Sequence, residues 1–497
     1  MQPVVQAVLR SWSIPPVATF ALVLTALTYL RGAWLLRRTG YPYLPAWRVG
    51  SFALGLFALW FALASPLDTF SGFVLAAHML QHMMLMMVAP PLILLGEPLI
   101  PLVRGMPRFA AREFAGPLLN WPPAQRIGLV LTNPVVALVL MGVVMLGWHV
   151  PGPYELALRS SSWHQVEHAC FFFTSIIFWW PVVQPWPSRA RWPRWAMVPY
   201  LLIADLQNTA LSAVLVFSDK ILYPSYGAAP SLFGFTPQED QAAAGAIMWV
   251  VGSLAFVVPA ALIAIQCLTR GRTDRAARLS RRDEHSVVER AVSKAEASSS
   301  PVGIFGIRLT ARSFEAASFV FLFVLTAAGF AVLSGLAADD DDQVLLTSQQ
   351  AGQFSVSIYG PVGDIPVGTA SFGVLVQDRI TREVLLDPQV DVSVHKANDD
   401  ASAAPEHQRA LPGDENKLAF AADMDFPYAG SWVFQVAVRR GSESALVSLP
   451  ILVTSAEAGQ PVRWSHIVIL VVSGVLCAAY LWRHRARRSA ALTAPIA

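Results

Sequence analysis

Charge is scarce in this chain of 497 residues. Asp, Glu, Lys and Arg make up 14% of it against 55% hydrophobic residues, and the mean hydropathy is +0.48. That balance excludes an ordinary soluble domain and points to an integral membrane protein. A formal net charge of +3 is too small for a nucleic-acid partner. Cysteine is also scarce: Cys170, Cys267 and Cys477 lie far apart and form no CxxC pair. This excludes a disulfide framework and a cysteine zinc site. The N-terminal stretch lacks a basic region leading a short apolar core, so no cleaved signal is expected.

Long apolar runs are what the chain has instead. A bilayer takes roughly 20 helical residues to cross. Runs of that kind fall near 16–36, 48–66, 72–95, 129–150, 164–186, 196–217, 243–267, 315–337 and 464–482. Every second loop is basic: Arg31, Arg37, Arg38 and Arg48, then Arg104, Arg108, Arg112 and Arg126, then Arg189, Arg191 and Arg194. Basic loops stay in the cytoplasm, so the N-terminus is expected outside and the C-terminus inside. Residues 271–312 read as a basic cytoplasmic linker with little fixed structure. Beyond the run at 313–340, the stretches QFSVSIYG, ASFGVLVQD, VDVSVHK and GSWVFQVAVRR alternate with period two. They predict an Ig-like β-sandwich over 341–460, outside the membrane, followed by a last helix and basic tail at 461–497. The expected fold is a polytopic α-helical membrane protein. A seven-helix core over 1–270 is followed by two further transmembrane helices flanking an extracytoplasmic sandwich.

Histidines gather on one side of this arrangement. At about 1.5 Å per residue, His78 lies about 9 Å and His82 about 15 Å below the outer end of the third run. His149 ends the fourth run at the outer rim, and His164 and His168 begin the fifth. His78/His82 and His164/His168 are i, i+4 pairs that each project from one helix face; Met86 extends the first stripe and Met145 precedes His149 by one turn. Imidazole with thioether suits copper, in particular Cu(I). A packing role is the expectation for Met79, Met83, Met84 and Met87, because methionine fills irregular gaps. Cys170 is a less favoured ligand. Ionisable groups in a bilayer are costly, so five on one side mark a site rather than chance. Neutral imidazole is needed to hold metal, so retention is expected to weaken below a pH of about 6.5.

Other polar residues carry weaker signals. Asp205, Asn208, Thr209 and Ser212 form a stripe on the sixth run, for which interhelical hydrogen bonding slightly outweighs a proton or ion role. Glu155 and Glu167 suit partners that orient histidine rings, or solvated rim positions. Pro90-Pro91 is expected to kink or end the third run, leaving backbone groups for neighbouring helices to satisfy.

HMLQHMMLMMVAPPLILLGEPL, WHVPGPYELALRSSSWHQVEHACFFFTSIIFWWP, LYPSYG and DQAAAGAIMW, in this order, resemble the CtaG-type family of bacterial cytochrome c oxidase assembly factors over about residues 12–270. The resemblance implies a non-enzymatic protein of the bacterial cytoplasmic membrane that holds or delivers copper for the oxidase. It carries over His78, His82, His149, His164 and His168 as functional positions. A cytochrome c oxidase subunit, other copper chaperones and membrane lipid are the implied partners. GTASFGVLVQD and YAGSWVFQVAV in the outer segment are similar to a YtkA-type domain; His395, His407 and Met424 there are better read as scattered residues than as a metal site. Two rivals from other classes stay open: a haem-binding electron carrier with bis-His ligation, for instance by His82 and His168, and a copper transporter.

Overall fold

The computed structural model describes residues 6–185, 192–228, 235–281 and 343–454 apart from short gaps, with a small strand pair at 303–304 and 307–308. The helices expected at 315–337 and 464–482 lie outside the described residues. The core is built on α1 (Pro16–Arg38), α2 (Ala46–Ala64), α3 (Leu75–Leu95), α4 (Pro134–Trp148), α5 (Ser161–Val183), α6 (Met197–Phe217) and α7 (Pro237–Arg281). Among the described residues six helices are long and apolar enough to cross a bilayer. A seventh span arises only if α4 is joined to the helix Pro122–Leu131, from which it bends by 72°. The single run expected at 129–150 is therefore broken. Asn133 accepts the Val135 amide and Pro134 opens α4, two helix-start signals that reset the chain direction.

The outward faces of these helices are apolar. Phe20 and Leu27 on α1, Val139 and Val143 on α4, Leu206 and Val214 on α6, and Leu254 and Leu262 on α7 are all exposed. Such stripes belong against lipid rather than water. α3 and α5 differ: two-thirds or more of each apolar span is buried, against a third or less in α1, α2, α6 and α7. They are the central helices, and α3 packs against α2, α5 and α7. α1 rests on the short helix Leu99–Gly105 through two glycines that leave no room for a side chain. A Cβ on Gly32 would run into the Pro101 carbonyl, and one on Gly105 into the Thr28 carbonyl.

Of the two outcomes expected for Pro90-Pro91, a kink or an end, the end does not occur. The turn Met84–Val88 widens into a π-helical turn, the Ala89 amide reaches the Met84 carbonyl, and the helix resumes from Ala89 to Leu95. A proline cannot bond the carbonyl four residues back, and its ring crowds it. The carbonyl so released by Pro90 is that of Met86, and Trp179 Nε1 on α5 donates to it at 3.0 Å. α3 then terminates at Gly96, whose carbonyl accepts the Tyr29 hydroxyl at 2.7 Å. Glu97 follows with a φ of 48° and pairs with Arg48.

After the core, α7 continues past residue 270 to Arg281. The pair β1 (Gly303–Ile304) and β2 (Ile307–Arg308) interrupts the segment expected to lack fixed structure. Residues 343–454 form two five-stranded sheets. One has the order β3 (Gln343–Ala351), β4 (Phe354–Pro361), β6 (Gly368–Asp378), β10 (Phe420–Phe426), β9 (Leu411–Pro412). The other runs β5 (Ile365–Pro366), β12 (Glu443–Thr454), β11 (Gly430–Arg440), β7 (Gln389–Lys396), β8 (Glu406–Arg409). All pairings within these sheets are antiparallel except β5 with β12. The four alternating stretches of the sequence become β4, β6, β7 and β11. Their inward residues close a core in which Phe372 of one sheet stacks on Phe434 of the other at 4.3 Å.

The sandwich rests on the helical core. Tyr359, Leu375, Val384 and Leu418 share one apolar cluster with Ala7, Phe70, Phe73 and Val74. Phe73 meets Tyr359 edge-on at 5.2 Å, and the Lys417 amide donates to Ser11 Oγ at 3.1 Å. Phe73 and Val74 lead directly into α3.

Candidate metal centre

α3 is fixed at its start by α7. The Leu75 and Ala76 amides donate to the two Asp240 oxygens at 2.7 and 3.0 Å, so a carboxylate satisfies amides that the helix leaves without internal partners. One turn on, His78 and His82 project from the buried face of α3, with ring centroids 4.3 Å apart. α5 opens after Ser160 and sets His164 and His168 one turn apart, 4.1 Å between centroids. The pairs face each other: His78 lies 5.0 Å from His164, His82 lies 5.3 Å from His168, and the diagonal from His78 to His168 is 6.4 Å. One ring nitrogen from each of the four lies within 4.8 Å of those of the other three.

Hydrogen bonding sets how these rings present themselves. The Tyr226 hydroxyl donates to the Ser71 carbonyl at 2.5 Å and stands 2.7 Å from His78 Nδ1. A hydroxyl that has given its proton to a carbonyl accepts from the ring, so Nδ1 of His78 carries the hydrogen and Nε2 keeps its lone pair. Tyr154 adds a second hydroxyl 3.1 Å from Nδ1 and stacks on Tyr223 at 4.0 Å. His78 Nε2, both nitrogens of His82, His164 Nε2 and His168 Nε2 are buried without a hydrogen-bond partner. So are both oxygens of Glu167, which lies between the two histidines of α5 in sequence. Its Oε2 is 3.8 Å from His78 Nε2 and 4.0 Å from His82 Nε2. Buried polar atoms are normally paired, because leaving them dry costs free energy. Convergence of so many unpaired atoms on one point fits a bound cation, with imidazole the usual ligand of first-row transition metals.

The other expected residues fall elsewhere. His149 lies outside the group of four. It caps α4, its Nδ1 donates to the Met145 carbonyl at 2.7 Å, and its ring faces Phe171 and Tyr154. Met86 and Met145 are buried, and their recorded polar roles are backbone ones, as acceptors for Trp179 and His149. Glu155 ties down a loop: it accepts the Ser225 amide at 3.0 Å and the Ser225 hydroxyl, and pairs with Arg159. Asp205 accepts from Ser253 at 2.7 Å and Asn208 donates to the Met248 carbonyl at 3.0 Å, so both stitch α6 to α7. Cys170 is a free, half-buried thiol.

Sequence reasoning missed Tyr154, Tyr226 and Asp240 as contributors to this region. Tyr226 and Asp240 lie in LYPSYG and DQAAAG, stretches whose order along the chain is visible but whose approach to α3 depends on how the helices pack. Gln241, next to Asp240, holds the same loop by accepting the Leu222 amide at 2.8 Å and donating to the Leu215 and Lys220 carbonyls.

A bundle with lipid-facing apolar stripes and four imidazoles gathered between its two central helices defines a polytopic membrane protein with a candidate metal centre. Residues 27–270 match the family described as cytochrome c oxidase caa3 assembly factor (Caa3_CtaG), and through this core the chain belongs to that family. The chain is 25% identical over 298 residues to an uncharacterized protein of Mycobacterium bovis and equally to one of Mycobacterium tuberculosis. Both alignments take in 57% of this chain and 43% of the relative. An uncharacterized protein of Mycobacterium leprae is 24% identical over 252 residues, covering 50% of this chain and 38% of the relative. The chain thus spans about two-fifths of the length of the curated relatives it matches. No solved structure matches significantly.

Proposed function

We propose that the protein holds a copper ion between α3 and α5 near the outer face of the cytoplasmic membrane and passes it toward a cytochrome c oxidase subunit during assembly. The observation that carries this reading is the facing pair of i, i+4 histidine couples, whose ring nitrogens come within 4.8 Å of one another in a buried setting. Family membership supplies the context of an oxidase that contains copper. His149, just outside the four, is a candidate way-station on the path in or out. The non-enzymatic role follows from the same context, with the sandwich as the docking module for the oxidase or for another copper carrier.

Crowding weighs against haem. Two axial nitrogens would straddle a haem iron, but with two further imidazoles converging on the same point the volume a macrocycle needs around that iron is already filled. A transporter would need ligands continuing to the inner face, and there the polar side chains Asp205 and Asn208 are engaged between α6 and α7. The test is metal analysis with an absorption spectrum on detergent-purified protein. Wild type is expected to retain copper without a Soret band, and the double variant His78→Ala/His82→Ala to lose it. Unchanged copper in that variant would place the site elsewhere, and a Soret band would establish the haem reading instead.

A further inference from the structure

Five side chains, not four, meet at the centre. Ligands that share one first-row ion each lie about 2.0–2.2 Å from it, which sets them about 3–4 Å from one another. Glu167 Oε2 stands at that separation from two imidazole nitrogens, 3.8 Å from His78 Nε2 and 4.0 Å from His82 Nε2. Both distances are longer than a hydrogen bond, and neither carboxylate oxygen has another partner. The side chain is fully buried and does not snorkel to the rim. A carboxylate that merely oriented a ring would accept a hydrogen from its far nitrogen, as carbonyls and hydroxyls do for ligating histidines. For His78 that position is taken by Tyr226 and Tyr154 on Nδ1, while Glu167 stands on the side of Nε2, where the metal would sit.

Resting on the metal-centre reading above, we infer that Glu167 is itself a ligand and that the centre is a four-imidazole, one-carboxylate site built for a divalent first-row ion, Cu(II) in the proposed setting, rather than for Cu(I). Thioether and thiolate select Cu(I), whereas imidazole joined by a hard anionic oxygen suits divalent ions with higher coordination numbers. The methionine burst after His82 then serves packing and the π-helical turn. Copper enters this centre in its oxidised form, and any reduction belongs to the recipient or to a separate donor.

Full-length protein purified in detergent and stripped of metal tests this by parallel titration with Co(II), with Cu(II), and with Cu(I) kept reduced under a competing chelator. Wild type is expected to bind both divalent ions. Glu167→Gln should weaken Co(II) and Cu(II) by at least about tenfold while moving Cu(I) much less, and Glu167→Asp should restore part of the loss. Unchanged Co(II) affinity in Glu167→Gln overturns the inference, as does a wild type that takes Cu(I) but neither divalent ion. The metal-centre reading fails separately, if His82→Ala binds all three ions as wild type does or if wild type binds none. Should Glu167→Gln not fold, the Co(II) spectrum of wild type answers instead. Weak five-coordinate bands sustain the carboxylate ligand, and intense tetrahedral bands overturn it.

Discussion

Tyr226 shows how one hydroxyl can set the tautomer of an imidazole from outside the group of four. By donating to the Ser71 carbonyl it becomes an acceptor for His78 Nδ1, which keeps the ring in the tautomer whose Nε2 faces its three neighbours. Tyr226→Phe removes that lock while keeping the ring's bulk, and partners of this kind are worth about 10–100-fold in metal affinity. Titration of the variant should show a loss in that range with the helical circular dichroism unchanged. An affinity equal to wild type would mean that Tyr154, 3.1 Å from the same nitrogen, suffices alone. At this scale the sequence was informative about His78, His82, His164 and His168, because i, i+4 spacing in an apolar helix fixes a shared face. It was less so about Glu167. A glutamate one residue before His168 is compatible with a wet rim or a dry centre, and only the packing of α3 against α5 distinguishes them. His149 stands apart from the four for a related reason: as a helix-terminal ring it turns to the Met145 carbonyl.

The third helix illustrates how an element accommodates a proline pair inside a membrane. The expectation that neighbouring helices must satisfy freed backbone groups is met by Trp179, whose indole reaches the Met86 carbonyl within the π-helical turn. Of the expected kink or end, the run does not end, since a wider turn absorbs the missing hydrogen bond. Trp179→Phe leaves that buried carbonyl without its donor and should lower stability by about 1–3 kcal/mol. Thermal unfolding in detergent would show a reduced midpoint, and an unchanged midpoint would mean that another donor or a water takes over. The break at Asn133-Pro134 was legible as helix-start chemistry yet hidden by hydrophobicity, because the residues on both sides are apolar enough to read as one run. In the sandwich the reverse held. Alternation in β11 pointed to the strand directly, because one face of it is buried and the other is not.

For the whole molecule, sidedness is the property on which the proposed function turns. The sandwich touches the N-terminal residues Ala7 and Ser11 and the entrance to α3, the same end at which the histidines lie. The arginine-rich loops lead to the expectation that this end is the outer one, a point that labelling can decide. Ile380 is 81% exposed on the sandwich, and Ile380→Cys in a chain whose native cysteines are replaced by serine should react with a membrane-impermeant maleimide in intact cells. Labelling that required permeabilised cells would invert the topology and move the centre to the cytoplasmic side.

The resting place of the sandwich has a mechanical meaning. Val74 belongs to the apolar seam beneath it, and the Val74 carbonyl accepts the His78 amide at 3.2 Å. A load on the sandwich would therefore reach the first turn of α3, the turn from which His78 projects.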